Sequence, residues 1–568
     1  MERNLQALED RTFDLLVVGG GIFGACAACD AARRGLSVAL IERQDFSSAA
    51  SANSFKLVHG GFRYLQHADV IRVRESSRAR RIFLRCAPHL VHPLPIVVPT
   101  YGRGARSKWL ISLAMKVYEA LTPDRNRGIR DLERRIPPGS TLSRAGVLDQ
   151  YPGLDPEGLT GAAVFADGQM YNPPRLVLAF LQSASRAGAV IANYVEAQRF
   201  VLKDGKIRGV LARDRLTGDE LEIRARCTLN AAGPYAEGLL KSGLGLSLEP
   251  TEWSRDAYFV LPRRVIGGRA ALALTSQTKD PEAVFSRGAR HLFLIPWRGY
   301  TLAGVWHKVY RRHPDGFTVT DGELEAFVAE IRSGYRLDIT PDDICLWNAG
   351  LIPFGENDPS ARDLKFGHRS RLVDHIRTHS VDGLITLIGV RFTTAPCEAP
   401  KAVDLALAKL GVRAARSRLE DVPAHGGAFE TFESLVREVM KEMALPEDCA
   451  RALAHNYGSG YREIADLTRQ APELAETIGS TSVLKAQIVH AVRSEMGLKL
   501  TDVVLRRTDL GTGEYPGSLV IEECARLMAK ELGWIESRVE QEIDALEALY
   551  PRNLRKRQEW RETPARSA

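Results

Sequence analysis

Phe13–Val18 (FDLLVV), followed at once by Gly19-Gly20-Gly21-Ile22-Phe23-Gly24, is the stretch that decides the fold. The first six residues are mostly apolar and rich in valine and leucine, the pattern of a short strand buried on both faces. The glycines behind it form a G-x-G-x-x-G turn, and Ala25–Arg34 continues as a helix of unusually small residues. Ser37–Ile41 reads as a second strand and ends on Glu42. Each part has a task in holding a dinucleotide. Gly19 permits the tight turn, and Gly21 lets the backbone approach a pyrophosphate. Gly24 and the alanines let the helix lie close on the sheet. Free N–H groups at the helix start face the phosphates, and Glu42 accepts hydrogen bonds from the adenosine ribose. Together these parts predict a Rossmann-type α/β domain. Its place at the start of the chain favours FAD over NAD, as does the lack of a second glycine-rich unit for a nicotinamide.

The remainder of the composition narrows the partners. The chain has 568 residues, 45% hydrophobic and 26% charged, enough for two or three folded domains. A net charge of +7 is mild at this length; it suits an anionic small molecule or a membrane surface better than a nucleic acid. Arg552–Arg566 (RNLRKRQEWRETPAR) concentrates much of that excess in a basic tail, residues 551–568. Of the eight cysteines only Cys26 and Cys29 are close, and no second pair completes a zinc site. Buried thiols in a reducing compartment, with no metal, are therefore expected. The opening MERNLQALEDRT has no apolar signal core, and no stretch of about 18 apolar residues follows. The expected location is cytoplasmic, either free or on the inner face of the cytoplasmic membrane.

Lys56-Leu57-Val58-His59-Gly60-Gly61-Phe62-Arg63-Tyr64-Leu65 is a long signature. With Asp30–Glu42, Gln44-Asp45 and Ser51–Gln66 around it, the chain resembles the flavin-dependent glycerol-3-phosphate dehydrogenases of the D-amino-acid-oxidase-like superfamily. The likeness runs from about residue 13 to 550. It implies that Ser51, Ser54, Lys56 and Leu57 line the flavin, and that Arg63 and Tyr64 face the substrate; a structural ion pair is the other reading of Arg63. Ile22, Phe23 and Arg43 fall within the fingerprint's cofactor-binding set. Val195 matches the position where backbone meets adenine, and Ala232 and Gly233 belong to an N-A-x-G-P turn (Asn230–Pro234). Gly389, Arg391, Phe392 and Thr393 match a turn that closes over the flavin, with a helix starting near Thr394 to favour negative charge there. Trp109–Leu121 matches a segment that seats the family on membranes; a core-packing helix is the alternative.

The implied architecture is a Rossmann-type FAD-binding domain in segments (13–95, 166–240 and 346–420). A mixed membrane-facing and substrate region (96–165) and an antiparallel-sheet substrate domain (241–345) are inserted between them. A helical C-terminal domain (429–550) follows. The implied reaction carries sn-glycerol 3-phosphate to dihydroxyacetone phosphate, hydride to the flavin and electrons to a quinone, with oxygen as the variant acceptor and a homodimer as one expected assembly.

Several pocket positions depart from the family pattern. Val390-Arg391 replaces a glycine-lysine pair, Tyr258 stands where a histidine is usual, and His307 stands where G-T-T-D has its aspartate. Gly350-Leu351-Ile352-Pro353 lacks the arginine of G-V-R-P. Arg63, Arg369 and Arg391 are the expected anchors of an anionic substrate. His307, whose ordinary pKa lies near neutral, is the expected base, and Tyr258 the second choice. Trp306 and Ile352 make the pocket bulkier. Another secondary alcohol, hydroxy acid or amine is therefore a competing substrate class, and a non-catalytic flavin-binding partner is a further alternative.

Overall fold

Thr12–Val18 is the innermost strand of a sheet ordered Arg371–Asp374, Leu384–Ile388, Glu220–Asn230, Thr12–Val18, Val38–Ile41 and Val190–Ala192. Every pairing along that path is parallel except the outer Arg371–Asp374 edge. The computed structural model describes residues 1–67, 69–102, 108–248, 253–262, 265–275, 291–353 and 370–550. Leu15, Leu16 and Val17 are fully buried, as a strand covered on both faces must be. One cover is the helix Ile22–Arg33, which is clamped by Pro173–Arg186 and Ala395–Leu410. Cys26 and Cys29 face that core, and burial pushes both thiols well up from their ordinary value.

The second sheet is ordered Leu346–Pro353, Trp253–Leu261, Tyr300–Tyr310, His291–Trp297, Ala271–Thr275, Val91–Tyr101, Leu159–Met170 and Leu57–Val58. Its pairings are antiparallel except that Ala271–Thr275 runs parallel to Val91–Tyr101. The segment boundaries expected from sequence need correction here. Leu346–Pro353 pairs with Trp253–Leu261 in the substrate sheet instead of opening the closing flavin segment. Val91–Tyr101 and Leu159–Met170 likewise carry the second sheet across the boundaries set at 95 and 165. Strand partnership is a long-range choice, and the local apolar pattern does not encode it.

Helices from Phe432–Met443 to Glu536–Glu547 form the C-terminal domain. It docks on the flavin side through buried ion pairs. Arg507 donates to Asp45 at 2.6 and 2.8 Å, Arg506 donates to the same carboxylate, and Arg175 grips Glu495 at 2.6 Å. Burial alone would raise the Asp45 carboxyl, yet the two guanidinium groups hold it below its ordinary value.

Lys108–Leu121 is a helix with one face packed on the protein and one face exposed. Met115 and Tyr118 pack inward, while Trp109 (73% exposed), Leu113 and Val117 form an outward apolar stripe four residues apart. Among the described residues no helix is long and apolar enough to cross a membrane. Arg369 and the basic tail 551–568 lie outside the described residues, as does the side chain of Arg63.

Candidate active site

Each fingerprint glycine answers to a contact. A Cβ on Gly19, whose φ is +114°, would sit 2.6 Å from the Ala231 carbonyl oxygen, and one on Gly24 would sit 1.9 Å from that of Gly19. Gly21 caps the helix Ile22–Arg33 without a side-chain hydrogen bond, so most of the first-turn N–H groups stay directed outward. Ile22 N–H alone is taken, by Ser51 Oγ at 3.1 Å.

These groups open into one cavity of about 950 Å³. Glu42, Arg43, Val195 and Tyr235 line it beyond the end of the second strand, where an adenosine belongs. Glu42 spans two backbone donors, accepting from Gly20 N at 2.7 Å and Gln44 N at 2.9 Å; burial raises its pKa. Arg43 stacks over Tyr235 at 4.2 Å and reaches Asp315 at 3.2 Å. Ile22, Phe23, Ser51, Ser54, Leu57, Ala232, Gly233, Gly389, Phe392 and Thr393 line its middle and far wall. A Cβ on Gly389 would overlap the Phe23 ring at 2.0 Å, so glycine there lets the closing turn rest against the fingerprint helix with that ring in place. The helix Ala395–Leu410 starts behind that turn with Thr394 as its N-cap, as expected. A long cavity with open backbone donors at its middle fits FAD: the Gly21–Gly24 turn would hold the diphosphate and Leu57 with Gly389–Thr393 the ring.

Arg391 faces the cavity at the ring end. Its Nη1 donates to Tyr64 Oη at 2.6 Å and to Ser76 Oγ at 3.3 Å, and the guanidinium lies 5.0 Å from the Tyr64 ring centre. Tyr64 itself stands behind Arg391, outside the lining. Tyr258 is buried yet borders the cavity, against Phe55 at 5.4 Å.

Besides Tyr64, three expectations are corrected. Trp306 packs against Phe327 and does not line the cavity. His307 does not line the cavity; its Nδ1 lies 2.8 Å from Asp256 Oδ1 on the neighbouring strand, and Asp256 provides the lining. Cross-strand register pairs these two residues, which draws the imidazole toward the carboxylate. Lys56 also departs. Its backbone is left-handed (φ +56°), and its amine turns away from the cavity to the Tyr258 hydroxyl.

Phe55, His59, Asp256 and Val305 line the cavity without having been singled out from the sequence. His59 lies in the quoted signature, and Asp256 precedes Tyr258 by two, hence on the same strand face. Val305 lies in the stretch 304–307 matched to G-T-T-D, but the roles expected there fall to Trp306 and His307. It enters because the register between Trp253–Leu261 and Tyr300–Tyr310 shifts at Ala257/Tyr258.

Comparison with known proteins agrees with this geometry. Residues 14–390 match the family described as FAD dependent oxidoreductase (DAO), and residues 417–539 match the C-terminal domain of alpha-glycerophosphate oxidase. The chain is 30% identical to a glycerol-3-phosphate dehydrogenase of Synechocystis over 95% of its own length and 97% of the relative's. It is 30% identical to the mitochondrial glycerol-3-phosphate dehydrogenase of Mus musculus over 94% and 72%. Among solved structures, the glycerol-3-phosphate dehydrogenase of Bacillus halodurans complexed with FAD is 25% identical. It superposes with a TM-score of 0.76, covering 96% of this chain and 95% of that one.

Proposed function

The chain belongs to the flavin-dependent glycerol-3-phosphate dehydrogenase family of FAD-dependent oxidoreductases, and from that premise we propose that it oxidises sn-glycerol 3-phosphate to dihydroxyacetone phosphate. The observation that carries this reading is the continuity of one cavity from the Gly19–Gly24 turn to Arg391. FAD, when bound, supplies a two-electron acceptor for the carbinol hydride.

The residues around it divide the remaining work. Arg391, held by Tyr64 and Ser76, presents a fixed guanidinium to the substrate phosphate, with Arg63 and Arg369 as further anchors from the sequence. Such a charge-assisted contact contributes about 1.5–3 kcal/mol. Tyr258 receives the hydroxyl proton, because it borders the cavity. His307 holds the Asp256 carboxylate in place at 2.8 Å. The apolar stripe Trp109, Leu113 and Val117 seats the protein at a lipid surface, from which a quinone draws the electrons.

Anaerobic titration of the flavin-loaded protein with glycerol 3-phosphate tests the substrate. Stoichiometric loss of the flavin's visible absorbance is the expected result; an unchanged spectrum sinks the reading. Ile352, Val305 and Tyr258 line a bulkier, more apolar wall than an anion-binding set requires, which favours another secondary alcohol, hydroxy acid or amine as the second reading. Bleaching by another hydroxy acid or polyol, and not by glycerol 3-phosphate, would select it.

A further inference from the structure

Lys56 is 5% exposed, and among the described residues its amine hydrogen-bonds the Tyr258 hydroxyl. Burying an ammonium without a carboxylate is costly, so buried lysines are normally paired. Among the described residues no carboxylate pairs with it. Tyr258 comes from the strand Trp253–Leu261, and Trp297, 4.5 Å away across its ring face, comes from His291–Trp297. Arg298, in the following turn, is the charged neighbour, and it has the same sign. Asp509, the acid on that side, is already shared by Arg298 at 3.0 Å, Tyr171 at 2.7 Å and Asn456 at 2.9 Å. On the remaining side Leu57–Val58 pairs with Leu159–Met170, whose Gln169 is neutral and donates to the Pro296 carbonyl.

Burial first, and Arg298 second, bring the Lys56 amine down to about 7. Above that pH it is mostly a neutral amine in hydrogen-bond contact with a phenol on the cavity wall, with a lone pair free to take the phenol's proton.

We propose that Lys56 is the positioning residue that makes Tyr258 the proton acceptor of the reaction, by taking up the phenol's proton. This rests on reading the cavity as a site of alcohol oxidation. In the step, the substrate O–H bond breaks and its proton goes to Tyr258 Oη. The phenol's own proton moves to Lys56 Nζ, which becomes an ammonium. The carbinol carbon is oxidised, gains its carbonyl, and gives up its hydride with both electrons to the two-electron acceptor of the family reaction. No free phenolate is needed, which matters because burial raises the Tyr258 pKa far above its ordinary value. The ammonium releases its proton before the next turnover.

The test uses FAD-loaded protein labelled with 13C at the lysine ε-carbons, together with Lys56→Arg, Lys56→Met and Tyr258→Phe. One ε-methylene resonance should move with a midpoint near 7 and be missing in both Lys56 variants. The pH profile of kcat/KM, measured with whichever alcohol bleaches the flavin, should rise through the same midpoint. Lys56→Arg keeps the charge but cannot deprotonate, and should lose the rise together with roughly a hundredfold to ten-thousandfold in kcat. Tyr258→Phe should lose a similar factor while the resonance persists. A lysine resonance that titrates only in the ordinary range, or a Lys56→Arg enzyme that keeps the wild-type profile, overturns the proposal. If Lys56→Met fails to fold, the arginine variant and the resonance still decide. Failure of glycerol 3-phosphate as substrate leaves the resonance unmoved, so the two readings fail separately.

Discussion

The two ends of the cavity are built on different principles. At the nucleotide end backbone does most of the shaping: Cβ positions on Gly19 and Gly24 are filled by backbone carbonyls, Glu42 spans two backbone N–H groups, and the Asp45 carboxylate just beyond is saturated by Arg506 and Arg507. The N–H groups of the first helical turn stay open beside them. At the substrate end basic side chains rest on hydroxyls, Arg391 on Tyr64 and Ser76 and the Lys56 amine on Tyr258. The first end is shaped by backbone and acids, the second by basic groups held on neutral partners.

That contrast can be broken most severely at Gly24. Gly24→Val places a side chain where a Cβ alone meets the Gly19 carbonyl at 1.9 Å. The purified variant should be colourless, and a yellow protein would refute the helix-to-strand contact as the basis of cofactor binding. Next in size is Asp45→Asn, which leaves Arg507 buried with half its partner. It should lose about 3–5 kcal/mol of stability, read from the denaturant midpoint. The same carboxyl gives a pH test. Its folded pKa lies below the ordinary value near 3.9, so its stabilising effect is complete above that value. It is lost as pH falls through the lower folded pKa, so the acid limb of wild-type unfolding should become shallower in Asp45→Asn, the other depressed carboxyls such as Glu323 keeping the remainder.

Arg391→Met addresses the other end. The flavin should stay bound, while kcat/KM falls roughly tenfold to a hundredfold, mostly through KM, from one lost charge-assisted bond. Loss of flavin instead would move Arg391 to the nucleotide side of the comparison. Tyr64→Phe is the mildest change. It removes the hydroxyl that accepts from Arg391 at 2.6 Å but leaves the ring under the guanidinium, and should cost about twofold to tenfold in KM. An effect as large as that of Arg391→Met would mean that Tyr64 touches the substrate itself.

Legibility in the sequence followed the same division. The strand–turn–helix from Phe13 to Arg34 was readable because its demands are local: a tight turn, a close approach and a small-residue helix face lie within some twenty residues. The resemblance carried the Arg391–Thr393 turn and the Ser51–Leu57 segment to the same cavity wall, nearly 340 residues apart in the chain. His307 was misplaced because its chemistry was read without its neighbour. A strand residue's partner depends on register, and register here shifts at a bulge that no composition signal marks. Lys56 was readable as part of a signature, yet its direction was not, since a left-handed backbone decides where the amine points.

By itself, then, the sequence determined the dinucleotide-binding fold, since short-range glycine and apolar spacing leave the backbone few other solutions; FAD in place of NAD came from the fingerprint's position and the family resemblance. Tertiary structure alone decided which strands wall the substrate end, that Tyr258 and not His307 borders the cavity, and that the Lys56 amine meets a phenol where an acid would be usual. The physical reason is distance along the chain: 202 residues separate Lys56 from Tyr258, and only the pairing of sheet strands brings them together.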